Sequence, residues 1–520
     1  MFATKFRITA FLSLSVCWLA GEGLPVKSEL VRSTCGVCHR VDSEQRMSRI
    51  SYVRKTPEGW EETILRMVRL HGLNLAPADA RKIELYLAES HGLTASEMEK
   101  IAYALDYEDV EEKIPNEAVK NACATCHSYA KVAGQRRTRE EWLNLKDFLL
   151  AMFPTLVYQH RAEDWPALCD KALPWLADEF PFESPEWKRE KDHKAPGEGR
   201  WFATGHQLGK GDYVATVTFR AAADGELETE TVRHFADGTE SEAKGQGRWL
   251  SANAWRGSDH SAEADRVREV FQLSADGKMQ HGRWFPYQHP ELGATETRYS
   301  NPEMAAILPK VVRRGSAARF DIYGANLNPG AIKLGEGVSI DKVVSAAADH
   351  VSIEVHFAPN ARIGKRDVQA GSSRLPAALT IYDQADYIRV EPEKAMARLG
   401  GARAVKRFIQ FEAHAFSNGP DGIPGTADDL DLGLVKAAWS LGESFTAPND
   451  EDTKFVGSID QNGLFTPAQE GPNRQRSRST NNAGDVWVNA SYIPEGSSVP
   501  LKTRAYLLVS VPQYRELISQ

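Results

Sequence analysis

The chain has 520 residues, with 63 Lys and Arg against 71 Asp and Glu, for a formal net charge of -8. That length is too great for one hydrophobic core and points to roughly three to five domains. The acidic balance argues against a nucleic-acid binder, which carries a basic face, and the many Gly, Trp and Tyr with no low-complexity tract are those of a globular protein.

The first residues read as a secretory signal peptide over 1–23. Lys5 and Arg7 precede the apolar run Ile8 to Ala20, and small and polar residues follow at Gly21-Glu22-Gly23. The run falls short of the about twenty apolar residues that a spanning helix needs. Cys17 follows Val16, a poor fit just before a lipid-modified cysteine, so it is read as part of the signal. No other segment is apolar enough to span a bilayer. A soluble mature protein in a bacterial periplasm is expected.

Two copies of Cys-x-x-Cys-His come next: Cys35-Gly36-Val37-Cys38-His39 and Cys123-Ala124-Thr125-Cys126-His127. This is the attachment pattern of c-type haem. Two thiols one helical turn apart can bond both vinyl groups of one porphyrin, and the following His lies under the ring as the proximal iron ligand. The expectation is two covalently bound haem c groups, with His39 and His127 on the irons. Structural zinc is the rival, since paired cysteines also build such sites. A site of all four thiolates leaves His39 and His127 without a role, and the pairs lie far apart in the chain. Cys169, in the apolar stretch Trp165-Pro166-Ala167-Leu168-Cys169, reads as an ordinary buried thiol.

Residues 24–190 read as helical and form the expected diheme domain. Ile64, Leu65, Val68 and Leu70 recur at helical spacing, and Pro77 stands near the start of a further helix. A weak repeat accompanies the motifs: Thr56-Pro57-Glu58-Gly59-Trp60 follows the first and Thr138-Arg139-Glu140-Glu141-Trp142 the second. Thr with Glu two residues later suits a helix start, so two cytochrome lobes in tandem are inferred.

For the distal ligand of the first haem the downstream candidates are Met47, Met67, His71, His91 and Met98. Met67 and His71 share a helix face at the i, i+4 spacing; Met67 is favoured and His71 is the alternative. Met98 sits in a charged helix and reads as packing or surface. The repeat position of Met67 in the second lobe is Leu149, which cannot ligate iron. Met152 is placed first there, His160 second, and an open five-coordinate iron third.

From 191 the pattern becomes all-β. Residues 191–303 read as an antiparallel barrel: Tyr213, Val217 and Phe219 alternate on one face, and Asp-Gly hairpin turns recur at Asp224, Asp237 and Asp276. Gly-Arg-Trp triplets ending at Trp201, Trp249 and Trp284 fit aromatic core filling. Residues 304–386 and 387–520 read as two immunoglobulin-like β-sandwiches, judged by strand length and turn spacing. The loop Asn418 to Asp431 gathers Asp421, Asp428, Asp429 and Asp431 among glycines. It matches no EF-hand and is read as a solvated loop rather than a calcium site.

Taken together, two motifs in a helical start followed by a barrel-like and two sandwich-like domains resemble the alpha subunit of quinohemoprotein amine dehydrogenase. Arg54-Lys55-Thr56-Pro57-Glu58-Gly59-Trp60, the stretch from Arg66 to Gly72, the stretch from Val456 to Pro467 and Gly484-Asp485-Val486-Trp487-Val488 carry the specificity. The resemblance implies a periplasmic heterotrimer with a β-propeller subunit and a small subunit bearing a cysteine tryptophylquinone. Primary amines are oxidised at that quinone, and this chain passes the electrons to an external acceptor such as a cupredoxin or a cytochrome c. No catalytic base is then expected here. The family tends to place His at the position of Leu149, a departure in this chain. The alternative function is a free-standing diheme cytochrome serving another periplasmic oxidoreductase. No Gly-rich nucleotide fingerprint is present, which fits electron transfer rather than hydride chemistry.

Overall fold

The computed structural model describes residues 23–512, apart from 107–109, 160–162, 261–265, 402, 403, 420, 445–449 and 477–480. The segment expected to be a signal peptide, Cys17 included and Gly23 excepted, and His160 lie outside the described residues. The chain forms two compact units, one of the residues up to Leu93 with Glu112–Arg189, the other of Thr94–Glu111 with the residues from Glu190 on.

In the first unit, local chemistry sets the helix starts. The Thr56 side chain accepts from the Gly59 amide and opens Pro57–His71; the Thr138 side chain accepts from the Glu141 amide and opens Arg139–Leu143. Each cap removes an orphan amide at a helix N-terminus. Trp60 and Trp142 are then buried at equivalent places, and each indole N–H donates to a backbone carbonyl, His91 at 3.0 Å and Phe180 at 2.9 Å. Trp165 is held in the same way by the Ala122 carbonyl. The repeat read in sequence is thus a repeat of packing. One element was not expected: strands Val53–Lys55 and Gln135–Arg137 pair antiparallel, with Arg54 opposite Arg136, as a ribbon that joins the two halves.

In the second unit, the strands from Gly199–Gln207 to Ala294–Ser300 form a closed eight-stranded antiparallel barrel whose last strand pairs with its first. All three Asp-Gly sites are hairpin turns, with Gly225, Gly238 and Gly277 at positive φ, where glycine bears no Cβ penalty. Trp201, Tyr213, Val217, Phe219, Trp255 and Trp284 fill the interior and Trp249 packs against them, so the recurring tryptophans are core. That core also holds charge: Arg298 donates to Glu296 at 2.6 Å and lies 3.3 Å from Glu269, both buried.

Residues 306–382 form two four-stranded sheets around one core. The last region surrounds its core with three sheets, of three, four and three strands, rather than the two that a simple sandwich predicts. Thr94–Glu111, read in sequence with the helical region, groups with the β unit. Its apolar side chains Met98, Ile101 and Leu105 are buried there, and Arg283 donates to the Asp106 carbonyl at 2.7 Å. Among the described residues no helix is long and apolar enough to cross a membrane.

Candidate functional site

Ser28 caps the short helix Glu29–Cys35, which delivers Cys35 at its last turn. The Cys35 carbonyl accepts from the amides of Cys38 at 3.1 Å and His39 at 2.9 Å. This single turn holds both thiols and the imidazole together. His39 Nδ1 sits 2.8 Å from the Ser48 carbonyl, which fixes Nδ1 as the protonated nitrogen and leaves Nε2 as the lone-pair donor. Burial, with help from Arg49 and His71, holds the His39 pKa below the ordinary histidine value, so the ring is neutral and able to ligate.

The second motif repeats the plan. Asn116 caps Glu117–Ala122, and the Cys123 carbonyl accepts from the Cys126 amide at 3.3 Å. His127 Nδ1 lies 3.0 Å from the Ser128 carbonyl, again freeing Nε2. Surrounding protein lowers the His127 pKa although the ring is exposed on one side. All four motif cysteines are free thiols. Burial and the neighbouring thiol raise Cys35 and Cys123 to about 11. Cys169 is buried and close enough to Cys123 to feel its charge, the inert thiol that was expected.

The two cysteine pairs do not converge. Among the described residues no group of three or more His, Cys, Asp or Glu side chains is placed to hold a metal ion. A zinc site of four thiolates is not what these residues build. Free thiol pairs, each beside an imidazole with its Nε2 available, fit two covalent haems.

The distal candidates separate. Met47, His91 and Met98 are fully buried. His91 is committed to packing: its ring meets Trp60 edge-on, its Nδ1 lies 2.8 Å from Ser90 Oγ, and its carbonyl takes the Trp60 and Lys55 N–H groups. Met67 is half-buried and His71 exposed at the end of Pro57–His71. His71 adds a small contribution to the lowering of the His39 pKa. Met152 is half-buried at the end of Leu145–Met152, and Leu149 lies in the same helix. That helix carries Leu145, Phe148, Leu149, Leu150 and Met152, yet none of its residues is buried. Those apolar side chains are each half-buried, so the helix keeps a partly open apolar face.

The Asp-rich loop is structural. Asp429 accepts from the amides of Gly419, Gly425 and Thr426, and Asp421 from that of Ile423. Sequence reading missed a set of cations in the helical unit. Lys55 lies 5.5 Å from the Trp60 ring and Arg137 5.6 Å from the Trp142 ring. Arg49 and Arg66 both approach Phe148, at 5.7 and 5.4 Å. A signal existed: a cation stands immediately before the capping Thr in both copies of the repeat.

The chain matches the haem-binding model of quinohemoprotein amine dehydrogenase A, alpha subunit, over residues 26–187. It matches domains II, III and IV of the same alpha subunit over 194–298, 301–383 and 388–517. No curated protein matches. Among solved structures, a crystal structure of an ICAM-5 D1-D4 ectodomain fragment aligns at 11% identity over 61% of this chain and 96% of that chain. Its TM-score of 0.12 carries no argument.

Proposed function

The chain belongs to the quinohemoprotein amine dehydrogenase alpha-subunit family, part of an amine-oxidising oxidoreductase, and on that premise we propose that it is the diheme c-type electron-transfer subunit of such an enzyme. The observation that carries the reading is the duplicated motif turn, in which each His is anchored through Nδ1 and offers Nε2 beside two free thiols. Haem supplies a one-electron couple at each site. Oxidative deamination of a primary amine, with water giving aldehyde and ammonia, releases two electrons and two protons. Two one-electron sites on one chain match that stoichiometry.

The amine-oxidising cysteine tryptophylquinone and a β-propeller are assigned to partner subunits, and a periplasmic cupredoxin or cytochrome c to the acceptor role. Export through the signal peptide is part of the same reading, because covalent haem attachment to paired thiols belongs to that compartment. We assign the ligand opposite His39 to the Met67–His71 face, and that opposite His127 to Met152 or His160. The two sandwiches are read as immunoglobulin-like. In both, the first strand switches sheets at a proline, Pro309 or Pro392, and the segment after it pairs in parallel with a late strand.

Cys35→Ser with Cys38→Ser should remove one of two covalent haems when the protein matures in a c-haem-competent host. Intact mass and haem-stained gels read this. A mature wild-type chain lacking two haem masses would overturn the assignment.

A further inference from the structure

The joining ribbon carries Arg54 and Lys55 on one strand and Arg136 and Arg137 on the other. Arg54 is saturated by the Phe182 and Gly92 carbonyls, and Arg136 donates to those of Ala133 and Gln135. Lys55 and Arg137, counterparts in the repeat, are not served in this way. Lys55 Nζ donates to the neutral Thr63 hydroxyl at 2.7 Å, and Arg137 donates to the Gln135 side chain at 3.0 Å.

Three more cations surround them. Arg49 lies 3.4 Å from Glu141, Lys131 lies 3.2 Å from Glu62, and Arg137 reaches Glu141 only at 3.9 Å. Arg66 is half-buried, and its Nε–H is buried with no hydrogen-bond partner among the described residues. Arg49, Lys55, Arg66 and Arg137 thus share one carboxylate at ion-pair distance, Glu141, among the described residues. Burial and the neighbouring cations push Lys55 well below the usual lysine range, and burial brings Arg137 down to about 10. Cations partly withdrawn from solvent and short of counter-charge are costly, and an orphaned buried N–H calls for a specific partner. The set spans both motifs: Arg49 acts on His39 at one end, and Lys131 and Glu62 act on His127 at the other.

We propose that Arg49, Lys55, Arg66 and Arg137 form one carboxylate-binding belt that takes the propionate side chains of both haems and raises their reduction potentials. The inference rests on the diheme reading above. Covalent attachment at the two motifs delivers carboxylates to this neighbourhood, and planar guanidiniums hold carboxylates in paired hydrogen bonds. Residual positive charge near an iron favours the state with one electron more.

The test uses the holoprotein and reads two quantities, haem per chain and the two midpoint potentials by spectroelectrochemistry. Arg66→Gln and Arg137→Gln should keep two haems and shift at least one reduction equilibrium about tenfold toward the oxidised form, about 59 mV for a one-electron couple. Arg66→Lys and Arg137→Lys should stay within about threefold of wild type. If Arg137→Gln does not fold, Arg49→Gln, at a partly exposed side chain, carries the same expectation. Two retained haems with both potentials moved less than about twofold by every Gln variant overturn the proposal. So do wild-type potentials that move when inorganic phosphate is added at constant ionic strength, because the belt then holds a free anion. A wild-type chain without haem defeats the function reading itself, an outcome that haem counting separates from the other two.

Discussion

His206 lies between two carboxylates that come from distant parts of the β unit. Its Nδ1 is 2.7 Å from Asp212, its Nε2 is 3.0 Å from Glu412, and Lys310 holds the other Asp212 oxygen at 2.6 Å. The nearby His414, 6.3 Å away ring to ring, is itself engaged by Asp431 and feels Glu391 and Glu412. Burial alone lowers the His206 pKa, but the hydrogen bonds and charges of Asp212 and Glu412 outweigh it and raise the value from 6.5 to about 10. At about 1.36 kcal/mol per pH unit that rise sets a ceiling of about 5 kcal/mol. The Asp212 side chain is 36% exposed, so solvent screening brings the expected contribution to roughly 2–3 kcal/mol. A raised folded-state pKa stabilises fully below the unfolded value of 6.5, and the contribution is lost as pH rises through about 10. His206→Gln should therefore lower the urea stability of the β unit by roughly 2–3 kcal/mol near pH 6, with the difference from wild type closing by about pH 10. Circular dichroism in the β band follows the transition. A difference that stays constant across this range, or widens as pH rises, refutes the argument.

Arg298→Met leaves Glu296 and Glu269 buried without their guanidinium and should cost about 3–5 kcal/mol in denaturant unfolding. A loss below about 1 kcal/mol shows that the barrel core does not depend on the pair. Met67→Ala should remove the first haem's share of the sulfur-to-iron absorption band of the oxidised protein, leaving only what Met152 contributes; if the band survives at full strength, the first haem's thioether comes from elsewhere, and if wild type has none, His71 takes the position. Carbon monoxide titration of the reduced wild type should show no stoichiometric binding, whereas Met152→Ala should bind one equivalent. Stoichiometric uptake by wild type would falsify ligation by Met152 and by His160 alike.

What the sequence disclosed follows the range of the interaction that fixes each feature. The motif turns, the Thr56 and Thr138 caps and the Asp-Gly hairpins are settled within about five residues, and each was legible. Alternation along Tyr213–Phe219 was legible because strand period alone sorts barrel interior from exterior. Thr94–Glu111 was assigned with the helices because its local pattern is helical. Its grouping depends on where Met98, Ile101 and Leu105 find apolar partners, which no local window reports. The third sheet of the last region depends in the same way on long-range pairing of Ile409–Gln410, Gly457–Ile459 and Leu464–Pro467. The cations of the ribbon were visible as letters, but their burial was not. A Lys or Arg ahead of a helix cap ordinarily points to solvent, whereas the antiparallel pairing of two three-residue strands holds Lys55 and Arg137 half-buried.

The two units treat buried charge in opposite ways, and the contrast bears on what completes the helical one. Inside the barrel, Arg298 and Arg233 face Glu296 and Glu269: two cations against two carboxylates, with Tyr213 and Trp255 supplying further donors to those carboxylates. Charge is matched there, although Arg233 Nε and Arg298 Nη1 are buried without a hydrogen-bond partner among the described residues. In the helical unit, Arg49, Lys55, Arg66 and Arg137 have one carboxylate at ion-pair distance, Glu141, among the described residues. The excess of cations there leaves a place for counter-charge from outside the polypeptide. The place left cationic is the neighbourhood of the two motifs, whose thiols are free and whose imidazoles are oriented through Nδ1. The half-buried apolar helix Leu145–Met152 offers matching apolar surface. A porphyrin with an apolar ring and two carboxylates suits both, whereas a bare metal ion suits neither.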